Sequence, residues 1–105
     1  MKNNALKKTV YIAGPIASRQ DTYKEDFAKA EKAVSALGYI VLNPATLPAG
    51  MVGEKYMPIC LAMVEQADIV CLLPGWEESP GANLELRFAS YQGKTVTTLE
   101  ALIGE

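Results

Sequence analysis

The apolar positions of this chain follow two rhythms. Short apolar runs at Lys8–Ala13 (KTVYIA), Tyr39–Leu42 and Ile69–Leu73 are closed by Gly14-Pro15, Asn43-Pro44 and Pro74-Gly75. β-branched and aromatic runs that end at turn formers read as strands. Between the first two, Tyr23, Phe27, Ala30, Val34 and Leu37 recur at helical spacing. They predict a helix that Asp21 or Thr22 can cap and Gly38 ends. A second helix is expected from about Glu54 to Gln66, with Pro58 near its first turn or interrupting it. Ser79-Pro80-Gly81 opens a third, a hydroxyl cap followed by proline at the first helical position. It runs to Tyr91 or Gln92, where Gly93 stops it. Lys94–Thr98 reads as a fourth strand, and Leu99–Ile103 as too short for more than a terminal turn. Met1–Lys7 is polar and expected to fray.

The order β-α-β-α-β-α-β with near-continuous apolar strands predicts one α/β domain over residues 1–105. The expected architecture is a flavodoxin-like or Rossmann-like three-layer sandwich, a parallel sheet of four (to five) strands covered on both faces. Right-handed crossovers give the order 2-1-3-4. The ligand crevice then lies at the carboxyl ends of strands one and three, where the order reverses. Those ends carry Gly14–Arg19 and Pro74–Gly81. The segment through Leu47-Pro48-Ala49-Gly50 to about Gly53 reads as an ordered excursion rather than a linker.

Composition narrows the chemistry. The 105 residues are half apolar and 21% charged, which fits a single soluble globular domain. Net charge is −2, and no Lys/Arg block stands out beyond Lys7-Lys8. A nucleic-acid polymer or an anionic membrane is therefore not the expected partner. No leader and no apolar run of membrane length is read, so the expected setting is cytoplasmic. Cys60 and Cys71 match no zinc spacing, and a disulfide would be unusual in a reducing compartment. There is no histidine. That removes Ser-His-Asp and Cys-His catalysis and argues against a transition metal. Neither a metal nor a cofactor is called for, and the chemistry must come from carboxylates, hydroxyls, Tyr, Lys, Arg or Cys.

A strand, a loop and a capped helix leave backbone N–H groups where a phosphate can bind. Glu85 falls on the second turn of that helix, with Gly81 and Ala82 four and three positions earlier on the same face. Small residues there leave room above the carboxylate, a pocket for a sugar phosphate. The same spacing also fits a surface glutamate, the usual fate of that residue. Spacing leaves both readings open.

Several stretches in matching order resemble the nucleoside 2-deoxyribosyltransferase-like superfamily, and most closely its short phage and bacterial domains. They are Val10-Tyr11-Ile12-Ala13-Gly14-Pro15-Ile16, Asn43-Pro44-Ala45, and Leu72-Leu73-Pro74-Gly75-Trp76-Glu77 with Ser79, Gly81, Ala82 and Glu85. The resemblance spans roughly Thr9 to Thr98. It implies cleavage or exchange of the N-glycosidic bond of 2′-deoxynucleosides or their 5′-monophosphates. Glu85 would attack C1′, as the carboxylate of a retaining glycosidase does, and water or a second base would complete the reaction.

The resemblance also assigns roles. Tyr11 matches a tyrosine whose hydroxyl orients the carboxylate, although a strand aromatic can equally be core. Ser79 matches a position that contacts the 5′-phosphate, a duty compatible with capping the helix. With Ser18 and Arg19 in the first loop, it favours a phosphorylated substrate. Gly14, Ile16, Gly81 and Asn83 complete the expected substrate contacts. Trp76 is a candidate to stack on the base or to bury itself against a neighbouring subunit. Met57 and Met63 read as core.

One position departs from the pattern. Catalytic members of the superfamily carry an aspartate eight positions before the residue that here is Asp68, and it is thought to protonate the leaving base. In this chain that position is Cys60. A thiol, with an ordinary pKa of about 8.5, is a weak acid. General acid help is worth about 10²- to 10⁴-fold. The alternative to an enzyme is therefore a non-catalytic nucleotide-binding protein that has lost the acid, and a third reading is a small oligomerising scaffold. So small a domain has few residues to close its own crevice, and a homodimer or larger homo-oligomer is expected.

Overall fold

The computed structural model describes residues 7–104, so all of the segment expected to fray except Lys7 lies outside the described residues. Strands β1 (Thr9–Ala13), β2 (Ile40–Leu42), β3 (Ile69–Leu72) and β4 (Thr95–Thr98) form one parallel sheet in the order β2-β1-β3-β4. Tyr11 pairs with Leu42 on one side and Val70 on the other. Asp68 fixes the start of this register, its Oδ2 accepting a 2.9 Å hydrogen bond from the Thr9 amide.

The two faces follow from strand alternation, since successive side chains point to opposite sides. Val10, Ile12, Ile69 and Cys71 face helices α1 (Tyr23–Ala36) and α4 (Leu99–Ile103), meeting Phe27, Ala30 and Val34. Tyr11, Ala13, Val70 and Leu72 face α2 (Gly53–Gln66) and α3 (Pro80–Tyr91), meeting Cys60, Val64, Ala82 and Ala89. The central strands β1 and β3 are buried on both faces, which is why their sequences read as unbroken apolar runs. The Thr-rich β4 and the short β2 form the edges.

Three local details differ from expectation. Neither Asp21 nor Thr22 caps α1 with its side chain; Thr22 is the cap residue, but its hydroxyl makes no cap hydrogen bond. A 3-10 turn at Ala17–Arg19 leads into the helix, and the backbone bonds Thr22 N to Arg19 O and Asp26 N to Thr22 O continue it without a side-chain cap. Leu99–Ile103 forms a short helix rather than a loose turn. Thr98 Oγ1 accepts from Ala101 N at 3.1 Å, and Leu99 and Leu102 pack onto the sheet. Pro58 sits inside α2 without ending it. Proline removes the amide that would bond the Glu54 carbonyl, but Glu54 and Pro58 are both exposed, so water can serve that oxygen.

The exits of β1 and β3 are packed too closely for ordinary side chains. A Cβ on Gly14 would stand 2.9 Å from the Leu73 Cβ. Gly75 follows at φ +91°, a left-handed turn that also brings its backbone against Pro15. These two glycines draw the strand ends together at the mouth of the crevice.

Candidate active site

The carboxyl end of β1, the segment that follows β2 and the start of α3 enclose a cavity of about 510 Å³. The β3 exit at Leu73 and Pro74, expected to share the crevice, borders a separate hollow instead. Tyr11 enters the cavity from β1, Cys60 from α2 and Glu85 from α3. The Tyr11 hydroxyl donates a 2.9 Å hydrogen bond to Glu85 Oε2. Tyr11 is fully buried, and Glu85 and Cys60 are each 6% exposed. Glu85 is therefore a buried carboxylate on a cavity wall, the less common fate for this residue type.

The local sequence explains its placement. Ser79 caps α3, its Oγ accepting from Ala82 N at 3.2 Å, and Pro80 fills the first helical position. The helix then presents Gly81, Ala82 and Glu85 on one face, all lining the cavity. The Met57 methyl lies beside Gly81, where a Cβ would meet it at 3.4 Å, about van der Waals contact.

A family model described as a domain of unknown function, DUF4406, matches residues 8–98. The chain belongs to this family. No curated protein matches it. Among solved structures, this DUF4406 domain resembles a 2-desoxiribosyltransferase from Leishmania mexicana, with a TM-score of 0.68 and 22% identity. The likeness covers 87% of this chain and 63% of that one, so the domain spans less than two thirds of that protein's length. It also resembles the CMP N-glycosidase of Clostridium botulinum, with a TM-score of 0.63 and 22% identity over 87% of this chain and 70% of the other. The domain thus shares its fold with these two proteins.

Burial dominates the electrostatics of the DUF4406 cavity. It pushes Glu85 up to about 7, even though the Tyr11 hydroxyl and then the Cys60 thiol pull it down. Near neutral pH the group is divided between carboxylate and carboxylic acid. Burial, followed by the facing Glu85 carboxylate, drives the Tyr11 phenol far above its ordinary range, so it stays a proton donor. Burial also raises the Cys60 thiol, against a lowering by the Tyr11 hydroxyl. Among the described residues no group of three or more His, Cys, Asp or Glu side chains could hold a metal ion.

The structure brings together Tyr11, Gly14, Ile16, Cys60, Ser79, Gly81 and Glu85 around this cavity. Four other expected contacts stand elsewhere. Ser18 is exposed on the 3-10 turn and lies off the cavity lining. Arg19 turns to Asp26 in a 3.5 Å ion pair and borders a separate hollow of about 250 Å³ with Pro15 and Pro74. Trp76 is half-buried against the core on the α2/α3 side. Asn83 gives its amide to the carbonyls of Trp76, Glu77 and Ser79, at 3.3, 3.0 and 2.9 Å, and so staples the β3–α3 loop.

Other lining residues escaped the sequence reading. Met57 packs against the core as expected, as does Met63, but it also forms cavity wall. Tyr23 and Phe27 of α1 reach the cavity as well. Tyr56 braces the segment before α2: its hydroxyl accepts from Met51 N at 3.1 Å and donates to the Pro48 carbonyl. The prolines and glycines of that segment signalled order, but nothing in it signalled a cavity wall. Asn43 ties the start of the same segment to α1. Its Oδ1 accepts from Ala45 N and its Nδ2 donates to Glu31 Oε1, each at 2.9 Å.

Proposed function

We propose that this domain cleaves or exchanges the N-glycosidic bond of 2′-deoxynucleosides or their 5′-monophosphates, with Glu85 as the nucleophile on C1′. The observation that carries the reading is the buried Glu85 carboxylate, hydrogen-bonded by Tyr11, on the wall of a cavity large enough for a nucleotide-sized ligand. A carboxylate held at one oxygen by a phenol has a fixed orientation and a defined line of attack. Attack would pass through an oxocarbenium-like transition state to a deoxyribosyl ester on Glu85, which water or a second base resolves.

Ser79 and the N-terminus of α3 at the cavity rim favour a 5′-phosphate. The Gly81 amide and the positive end of the helix dipole attract an anion there, while Ala82 N and Asn83 N are taken up by Ser79. Gly14, Ile16 and Gly81 would lie against the sugar and base. The proposed working form is a homodimer or larger. Leu84 at 46% and Tyr91 at 90% exposure stand two turns apart on α3, an apolar face suited to a second copy. Free, buried Cys60 and Cys71 suit a reducing cytoplasm.

The second reading, nucleotide binding without turnover, draws support from Cys60, whose raised thiol is a poor acid. One assay separates the two. The protein is incubated with the four deoxynucleoside monophosphates, with and without a second base, and free base is followed by chromatography against Glu85→Ala. Base release or exchange that vanishes in the variant supports the enzyme. Nucleotide binding without release supports the binding protein.

A further inference from the structure

The inventory of proton donors around the cavity constrains the base that can leave. Among the described residues, Glu85 is the one carboxylate in the lining, and no lysine or arginine accompanies it. Tyr56 has its proton committed to the Pro48 carbonyl and Tyr11 has its proton committed to Glu85. Tyr23 also stands in the lining, but a phenol, like a serine hydroxyl, is a poor general acid at neutral pH. Gln20 donates its amide to Ile16 O. Ser79 is held as the α3 cap, and a serine hydroxyl is no acid at neutral pH. Burial makes both the Tyr11 phenol and the Cys60 thiol weaker acids than usual. Glu85 cannot serve as acid and nucleophile in the same step.

We infer that, given the Glu85 mechanism proposed above, the preferred substrates are N-glycosides whose base departs without being protonated. These are cationic glycosides, such as pyridinium nucleotides or N7-alkylated purine nucleotides.

The chemistry balances without a donor. A Glu85 carboxylate oxygen forms a bond to C1′ while the C1′–N pair returns to the ring nitrogen, cancelling its positive charge and releasing a neutral base. Water then attacks C1′, the Glu85 carboxylate leaves, and the proton of the attacking water passes to solvent. A neutral cytosine or guanine would have to leave as an anion or wait for a proton from solvent.

The walls suit such a cation. The one formal charge facing the cavity is negative, and opposite charges attract strongly where water is excluded. The rings of Tyr23, Phe27 and Tyr56 stand in the lining, and a flat cation gains from an aromatic face. A bound cation also favours the ionised form of Glu85, the form that attacks. Neutral substrates leave it partly protonated near pH 7.

The test compares matched substrates on the intact protein. Nicotinamide ribonucleotide and its 2′-deoxy form are set against CMP and dCMP, and 7-methylguanosine monophosphate against GMP. Base release is followed by chromatography and corrected with Glu85→Gln for spontaneous loss. The expected kcat/KM is at least about a hundredfold higher for the cationic member, the lower bound of what general acid help is worth. Cys60→Asp, which adds an acid to the wall, is expected to shrink that ratio by raising only the neutral rates. Parity between the two classes would overturn this inference and leave the Glu85 mechanism standing. Failure to release base from any substrate would overturn both.

Discussion

The Tyr11 hydroxyl and Glu85 Oε2 meet at 2.9 Å across 74 residues of sequence, both inside the fold. Tyr11 is the chief favourable influence holding Glu85 down against burial. Tyr11→Phe is therefore expected to lower kcat/KM at pH 7 by roughly ten- to hundredfold, the worth of a hydrogen bond to a charged group. It should also move the lower limb of the pH–rate profile upward. An unchanged limb would show that the phenol does not tune the carboxylate.

The native protein should gain activity as pH rises through about 7, because only ionised Glu85 can attack. The check is kcat/KM on one substrate from pH 5 to 9. A rate already flat from pH 5 would remove Glu85 as the nucleophile.

Stability should run the other way. The folded value of Glu85 lies above its ordinary 4.5, so its neutral form adds stability that is complete below about 4.5. That contribution is lost as pH rises through about 7, and amounts to roughly 3 kcal/mol. Glu85→Gln should accordingly melt higher than the native protein at pH 8 and alike at pH 4. Thermal unfolding at both pH values decides it.

Gly14→Ala should cost about 1–3 kcal/mol, since its Cβ would stand 2.9 Å from that of buried Leu73. Leu73→Ala alone should cost about 2–5 kcal/mol through the space it empties. The double variant should cost less than the two together, as expected for neighbours in contact. Denaturant titration of the four proteins measures the coupling, and strict additivity would rule out the clash.

Tyr56→Phe should free the segment around Gly50 with a loss of about 1 kcal/mol. The Met51 amide, now bonded to the Tyr56 hydroxyl, should exchange with deuterium faster. Unchanged protection there would mean that the segment is held by other contacts.

The sheet order and both layers were legible because β1 and β3 are buried on two faces and leave continuous apolar runs, while glycines and prolines mark their ends. The α3 cap fixed the helix phase and put Gly81, Ala82 and Glu85 on one face. Spacing still left Glu85 open between pocket and surface, and only the resemblance pointed to the pocket. Side-chain direction in irregular segments was not legible. Arg19 sits in a polar loop beside the crevice, yet Asp26 on the next helix draws it away. Asn83 looked like a ligand group, but three loop carbonyls claim its amide. Met57 repeats at helical spacing and does pack against the core, but it forms cavity wall as well, its methyl beside Gly81 of α3. Each of these depends on a partner from another turn or element, which periodicity along one helix does not encode.

The cavity is also a seam. Tyr11, Gly14 and Tyr23 line it from the β1–α1 half of the chain, and Cys60, Gly81 and Glu85 from the half that begins with α2. A molecule seated there rivets the two halves, so occupancy must raise the melting temperature of the whole domain as ligand concentration grows. Thermal shift can therefore rank candidate ligands before any turnover is detected.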